Sequence, residues 1–433
     1  MDPTILLLIL FASFVVLVLI NINRAFFLVV ALMLLLFPIV NISFMPREVM
    51  GIHGLNIGNI VWLSAFVMAV FSITSRKGNL RFSSYLSLPV MLFLFMYLIA
   101  VIWTMFNLDA IQRPGHGITT KSLIMEDLLK PLQLLLAGWI VMVYCEVEGN
   151  TVRIQRVVFI IPLIIVPIVM YYYFQGSIGT DYVSGRDEIS DLFGYHANEL
   201  GAVGTYLLAF ALITKEQRMH LLRYLSIGAS LMIIVLSFSR MAYLTTLALI
   251  VLTFFKLKHK ERLVLVSLTG VVIIVFSVQL MSRLYFGIDT SRKKVDINQI
   301  SANRIDKIWR PMIPHFLDHM IFGDGVYSVL KTPEARVWMP SHPHNAYLQV
   351  ALDMGVLGVA ALLWLLARFL SLGRRTQTAF LYVVISWMLM GFTGSSFYPT
   401  HANFIVWISY GIALSVRREK LYKLAQADKP EFG

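Results

Sequence analysis

Charge is scarce in this chain. Asp, Glu, Lys and Arg make up 14% of 433 residues, against about 25% in soluble globular proteins. With 58% hydrophobic residues and a mean hydropathy of +0.75, that shortage excludes a soluble domain carrying one anchor and indicates a polytopic membrane protein. Cysteine is almost absent. Cys145 stands alone in an apolar stretch, which excludes an internal disulfide and a cysteine-based metal site and leaves packing as its expected role. Heptads, low-complexity tracts and a convincing internal repeat are missing, and the last absence weighs against a transporter built from inverted halves. No phosphate-cradling glycine loop or nucleophile elbow occurs, which disfavours ATP hydrolysis and serine-type acyl transfer. The opening Met1-Asp2-Pro3-Thr4 lacks the positive region of a signal peptide, so the first apolar run is expected to remain as a helix.

Acidic residues are also outnumbered, giving a net charge of +12. Nucleic acid is not the expected partner, because most Lys and Arg sit in short loops beside apolar spans, as the positive-inside rule requires. A span takes roughly 20 mostly apolar residues. Candidates run near 3–21, 25–42, 59–74, 85–106, 128–146, 157–174, 198–214, 221–239, 240–257, 263–281, 346–370, 378–396 and 402–416. The expected fold is therefore all-α, a polytopic bundle of about 12–13 transmembrane helices in one membrane domain over 1–433. Basic clusters follow every odd-numbered span: Arg24; Arg76, Lys77 and Arg81; Arg153 and Arg156; Lys215, Arg218 and Arg223; Lys256, Lys258, Lys260 and Arg262; Arg368, Arg374 and Arg375; Arg417, Arg418, Lys420 and Lys423. They mark one side as cytoplasmic, including a polar tail over 420–433.

The opposite side carries the longer loops, above all 282–345, which is too long for an idle connector. Within it, Ile305, Trp309, Met312, Ile313, Phe316, Leu317 and Met320 fall at helical spacing, predicting a short amphipathic helix. Phe322-Gly323-Asp324-Gly325-Val326 reads as a turn. Ser341 to Gly358 then crosses from polar loop to apolar span, with His342 and His344 at the boundary. At 100° per residue, His344 and Gly355 share a helical face, and Gly358 lies close to it. Glycines there define a seam for a neighbouring helix. A histidine above such a seam suits proton transfer; a polar cap for the helix is the alternative.

Arg240 follows Ser239 in the middle of a long apolar stretch, at the expected outer turn of a helical hairpin. It reads as an anion site, a guanidinium fork facing phosphate oxygens, or as an arginine snorkelling to headgroups. Arg186 lies beside Asp187 and Glu188, where a surface ion pair is the simpler reading. Arg304, Lys307 and Arg310 form a basic group in the long loop. His344 suits a general base near neutral pH, whereas His342 suits a structural role at the helix entry. His315 and His319 stand four apart, and His342 and His344 are further potential ligands. No carboxylate–histidine pattern of the metalloprotease type accompanies them, and Asp318 does not complete one, so no metal and no cofactor are expected.

Taken together, these residues resemble the bacterial O-antigen ligase family, which also includes O-antigen and exopolysaccharide polymerases. His344-Asn345, nine residues, Gly355, two residues, Gly358 resembles its signature. In order, Arg186 ahead of Phe193-Gly194-Tyr195-His196-Ala197-Asn198, Ser239-Arg240, and Arg304 to Trp309 followed by His319-Met320-Ile321-Phe322-Gly323-Asp324-Gly325 agree with its other motifs. Tyr195-His196 replaces the usual Asn-Pro, so those two take no family role, and Met320-Ile321 replaces Pro-Leu. The resemblance implies metal-independent, inverting transfer of a glycan from undecaprenyl diphosphate at the periplasmic face of the bacterial inner membrane. The acceptor is a lipid A-core sugar in a ligase, or another lipid-linked repeat in a polymerase. It assigns His344 to the acceptor hydroxyl, Arg186, Arg240 and Arg304 to the diphosphate, and the 282–345 loop to covering the site. A lipid or polysaccharide transporter is the competing class.

Overall fold

The computed structural model describes residues 21–39, 56–75, 82–112, 118–147, 149–175, 182–193, 196–214, 220–278, 280–281, 288–289, 294–295, 304–332, 343–393 and 396–427. They form an all-α polytopic bundle, apart from a two-residue antiparallel pair, Ile288–Asp289 with Lys294–Val295. The helices are α1 Ile22–Leu36, α2 Ile57–Ser75, α3 Leu88–Phe106, α4 Thr120–Cys145, α5 Asn150–Phe174, α6 Tyr182–Phe193, α7 Ala197–Ile213, α8 His220–Leu236, α9 Arg240–Phe254, α10 His259–Val275, α11 Arg310–Asp318, α12 Ala346–Thr376, α13 Phe380–Met390 and α14 Phe404–Ala427. Every expected span from 25–42 onward meets one of them; 3–21 lies outside the described residues. Among the described residues, α2, α3, α4, α5 and α12 are long and apolar enough to cross a membrane. The expected polar tail begins as helix, since α14 continues to Ala427.

Local sequence sets the ends and bends of these helices. The Asn21 side chain accepts from Arg24 N at 3.0 Å and caps α1. The Ser239 hydroxyl accepts from Ala242 N and starts α9. Pro162 and Pro167 interrupt the hydrogen-bond ladder of α5, and α4 contains a π turn over Ile124–Leu129.

α7 lies at the centre. Its residues from Leu200 to Leu212 are all buried, as an all-round apolar helix must be. Glycine allows two close crossings. A Cβ on Gly204 would stand 3.0 Å from Ile233 of α8, and one on Gly411 of α14 would stand 2.2 Å from the Gly138 carbonyl of α4. Leu63, Phe71, Phe95, Leu247, Ile274 and Leu363 point outward, the apolar surface that lipid solvates.

Arg223, one of the basic cluster that follows the seventh expected span, turns inward. It is 1% exposed. Its Nε donates to Ala211 O and its Nη2 to Leu212 O, both at 2.7 Å, while Nη1 meets Glu261 Oε1 at 2.6 Å. Glu261 also accepts from Lys258 N at 2.9 Å. The guanidinium thus ties the end of α7 to the starts of α8 and α10. Removing one partner of a buried ion pair strands the other and costs about 3–5 kcal/mol. Arg223→Met is expected to lower the thermal unfolding midpoint in detergent sharply. In Arg223→Met/Glu261→Leu the loss should be smaller than the sum of the two single losses.

Candidate functional site

His344 is not on the helix whose face it was expected to share. It precedes the cap of α12 and holds a left-handed backbone, φ 53°. A non-glycine residue there costs on the order of 1–3 kcal/mol, and such residues cluster at functional sites. Asn345 caps α12 instead, its Oδ1 accepting from Tyr347 N at 3.0 Å and Leu348 N at 3.1 Å. The preceding Pro343 carbonyl accepts from Trp309 Nε1 at 2.8 Å. That bond fastens the start of the amphipathic segment to the His344 head. Arg304 and Lys307 belong to the same segment, which opens with a π turn over Ile305–Trp309 and continues as α11. Arg310 pairs with Asp306 at 3.0 Å.

The His344 ring lies 6.3 Å from that of His196, centroid to centroid. His196 caps α7: its Nδ1 accepts from Asn198 N at 3.3 Å, and its N–H donates to Glu199 Oε2 at 3.0 Å. The first turn of α7 also abuts the Ser239-Arg240 turn, since a Cβ on Gly201 would stand 2.9 Å from Ser239 Cβ. The end of α6 joins here as well, with Ser190 Oγ accepting from Ala197 N at 3.2 Å. Arg186 falls one turn before Ser190 on α6; its side chain lies outside the described residues, as does all of His342. One end of the bundle therefore collects the His344 head, the α7 cap and the turn that carries Arg240. The sequence reading gave His196 no role. Its signal was a capping pattern, with Glu three residues on, and nothing in that pattern pairs it with His344.

The expected glycine seam also takes another form. Gly355 has φ 64° and ψ −163°, which breaks α12. The partner at the break is not a helix but the 320–325 turn. Val356 N donates to Met320 O at 2.8 Å and Leu357 N to Ile321 O at 3.4 Å. In return, Leu352 O and Asp353 O accept from Asp324 N and Gly325 N at 2.9 and 3.0 Å. A Cβ on Gly355 would stand 2.3 Å from Ile321 O, and one on Gly323 would stand 2.4 Å from Asp353 C. A Cβ on Gly358 would meet Met354 of its own helix at 2.2 Å. On the other side, Thr104 Oγ1 of α3 donates to Val326 O at 2.9 Å. The Phe322–Val326 turn is thus wedged between α3 and α12.

Buried acids surround the wedge. Asp353, 1% exposed, accepts from Ser328 Oγ and Tyr398 OH, both at 2.9 Å. Tyr398 stacks on Tyr97 at 4.2 Å, and Asp127 accepts from Tyr97 OH at 3.3 Å and Tyr327 OH at 3.2 Å. A lone acid in an apolar span was the signal for Asp353. Asp324 takes Lys331 Nζ at 2.6 Å and Trp103 Nε1 at 3.3 Å on Oδ1, with His315 Nε2 at 3.3 Å from Oδ2. Burial alone would raise its carboxyl, but the His315 ring and the Lys331 ammonium outweigh burial and hold it down at about 2.

A cavity of about 1440 Å³ opens elsewhere, lined by Cys145, Thr214, Lys256, Arg374, Tyr382 and Arg418. These include residues of the basic exits. Among the described residues, no candidate site residue lines it, so it is not the site that the motifs mark.

An all-α polytopic membrane protein with a histidine- and arginine-bearing end is the class these features define. Residues 225–363, from within α8 to within α12, match the family model described as O-Antigen ligase. That match supports the family indicated by the motifs and a ligase- or polymerase-type glycosyl transfer. No curated protein matches the chain significantly.

The Gly355 backbone lies in a region that is essentially glycine-only, and a methyl there collides with the Ile321 carbonyl. Gly355→Ala is expected to destabilise the fold by about 3 kcal/mol or more, read as a lower thermal midpoint and faster proteolysis of the 304–332 segment. Gly270→Ala, inside α10 with nothing within 4 Å of the added Cβ, should lower neither the midpoint nor the protease resistance.

Proposed function

We propose that the protein is an inverting, metal-independent glycosyltransferase of the bacterial inner membrane. It moves a glycan from undecaprenyl diphosphate to a sugar hydroxyl of lipid A-core at the periplasmic face. The observation that carries this reading is the meeting of His344, the His196 cap and the Ser239-Arg240 turn at one end of the bundle, away from the basic exits. A base and an anion-binding guanidinium are the two groups such a transfer requires.

In the reaction, the acceptor oxygen attacks the anomeric carbon as the bond to the diphosphate breaks, inverting that carbon. The imidazole of His344 takes the hydroxyl proton. The departing diphosphate gains negative charge, and fixed guanidinium groups stabilise it without reorganising. Arg240, Arg186 and Arg304 fill that role. The left-handed turn at His344, set by the Trp309–Pro343 bond on one side and the Asn345 cap on the other, fixes the base against the lipid-embedded donor. The apolar side of α11, with Ile313 and Leu317 outward, suits contact with the outer leaflet.

His344→Ala should cut transfer by about 10²–10⁴-fold while leaving the amount of protein in the membrane unchanged; full activity at normal expression would sink the assignment. Arg240→Lys keeps the charge and loses the fork. It should show a strong defect with purified protein and lipid-linked donor, and wild-type turnover would favour the snorkelling arginine instead. Deleting the gene in its host separates ligase from polymerase. Long glycan retained on the carrier and absent from lipid A-core means ligase; single repeats on lipid A-core mean polymerase.

A further inference from the structure

His315 and His319 were set aside as metal ligands because Asp318, their neighbour in sequence, completes no motif. The fold supplies a different carboxylate. The turn after α11 brings Asp324 back against the helix end, with Gly323 N bonded to His319 O at 2.9 Å. One ligand atom each from His315, His319 and Asp324 then lies within 4.8 Å of the others. The two rings are 4.9 Å apart.

Each group is arranged as a ligand of a metal would be. On Asp324, Lys331 and Trp103 occupy Oδ1 and leave Oδ2 toward the histidines. His319 sets its Nδ1 against the His315 carbonyl at 3.2 Å. With the proton on Nδ1, that contact directs the Nε2 lone pair away from the backbone, the usual outer support of a ligating imidazole. The Nε2 of His315 is buried and makes no hydrogen bond, though Oδ2 lies 3.3 Å away. Its facing oxygen is close but not aligned for a hydrogen bond, and an ion between the two atoms would serve both. His319 is exposed, so water has access to a fourth position.

We infer that His315, His319 and Asp324 bind a divalent transition metal ion, with Zn²⁺ the ion best suited to two imidazoles and one carboxylate in a tetrahedral shell. The ion clips the end of α11 to the wedge that fills the break in α12. It takes no part in the transfer proposed above. Binding it requires both imidazoles neutral and leaves the Lys331–Asp324 contact in place on the other oxygen.

The test uses full-length, untagged protein in detergent, stripped with EDTA and titrated with Zn²⁺ and, separately, Co²⁺. Wild type should retain one equivalent of zinc after desalting, and Co²⁺ should give the visible absorption of a tetrahedral N/O site. His319→Gln, at an exposed position, should weaken binding at least about tenfold. So should Asp324→Asn. Zinc should raise the thermal midpoint of wild type and not that of His319→Gln. Substoichiometric zinc in wild type, or equal retention by wild type and His319→Gln, would overturn the site and leave the cluster a plain ion-pair triad.

Discussion

Four backbone hydrogen bonds across the break at Gly355 hold this architecture together at the end that carries the candidate site. A helix interrupted within an apolar span leaves N–H and C=O groups that lipid cannot satisfy, each at a cost of several kcal/mol. Here the 320–325 turn supplies what the missing helical turn would have supplied. It gives two carbonyls to Val356 and Leu357, and takes the carbonyls of Leu352 and Asp353. The exchange works only where backbone meets backbone, which is why glycine stands at 323 and 355. The remaining polar groups of the region arrange themselves around that contact: Asp353 with its two hydroxyl donors, and Asp324 with Lys331 and Trp103.

The site inherits its geometry from this arrangement. α12 begins at Ala346 and is pinned nine residues later, so its first segment is a short rod fixed at both ends. At the first end, Asn345 caps the rod and His344 turns off it. Trp309 reaches Pro343 from a segment that is itself continuous with the wedge through α11. The wedge thus reaches His344 along two routes, through α12 and through α11. From the other side, α7 brings the His196 cap to the same place and carries the Ser239-Arg240 turn against its first turn. A candidate head built this way owes little to the loop's own rigidity.

Much of this was legible from residue order, and what was not has identifiable causes. Apolar runs located the helices from α1 onward other than α6 and α11, because a membrane span needs length and hydropathy, both visible in one dimension. Phe322-Gly-Asp-Gly-Val326 declared itself a turn through its glycines. Its partner could not be read, because Gly355 and Gly358, three apart in an apolar run, carry the same signature as a helix-packing seam. The eleven-residue spacing from His344 to Gly355 presumed one continuous helix, and neither residue has helical backbone angles. Arg223 belongs to a basic cluster that marks one side of the membrane, and such a cluster says nothing of which member turns inward. Asp324 escaped notice as a neighbour of His315 since nine residues and a reversal of direction separate them. The candidate base and arginines rest on residue type, motif order and the expected side of the membrane, while His196 arrived only with three dimensions.

The buried guanidinium of Arg223 bears on how the chain is made. Its carboxylate partner, Glu261, is synthesised 38 residues later, a delay of a few seconds at about 5–20 residues per second. Through that interval the arginine already has two acceptors, the carbonyls of Ala211 and Leu212 at the end of the helix that left the ribosome just before it. The central hairpin of α7 and α8 thereby carries its own provisional lock during membrane insertion, and α10 closes it on arrival.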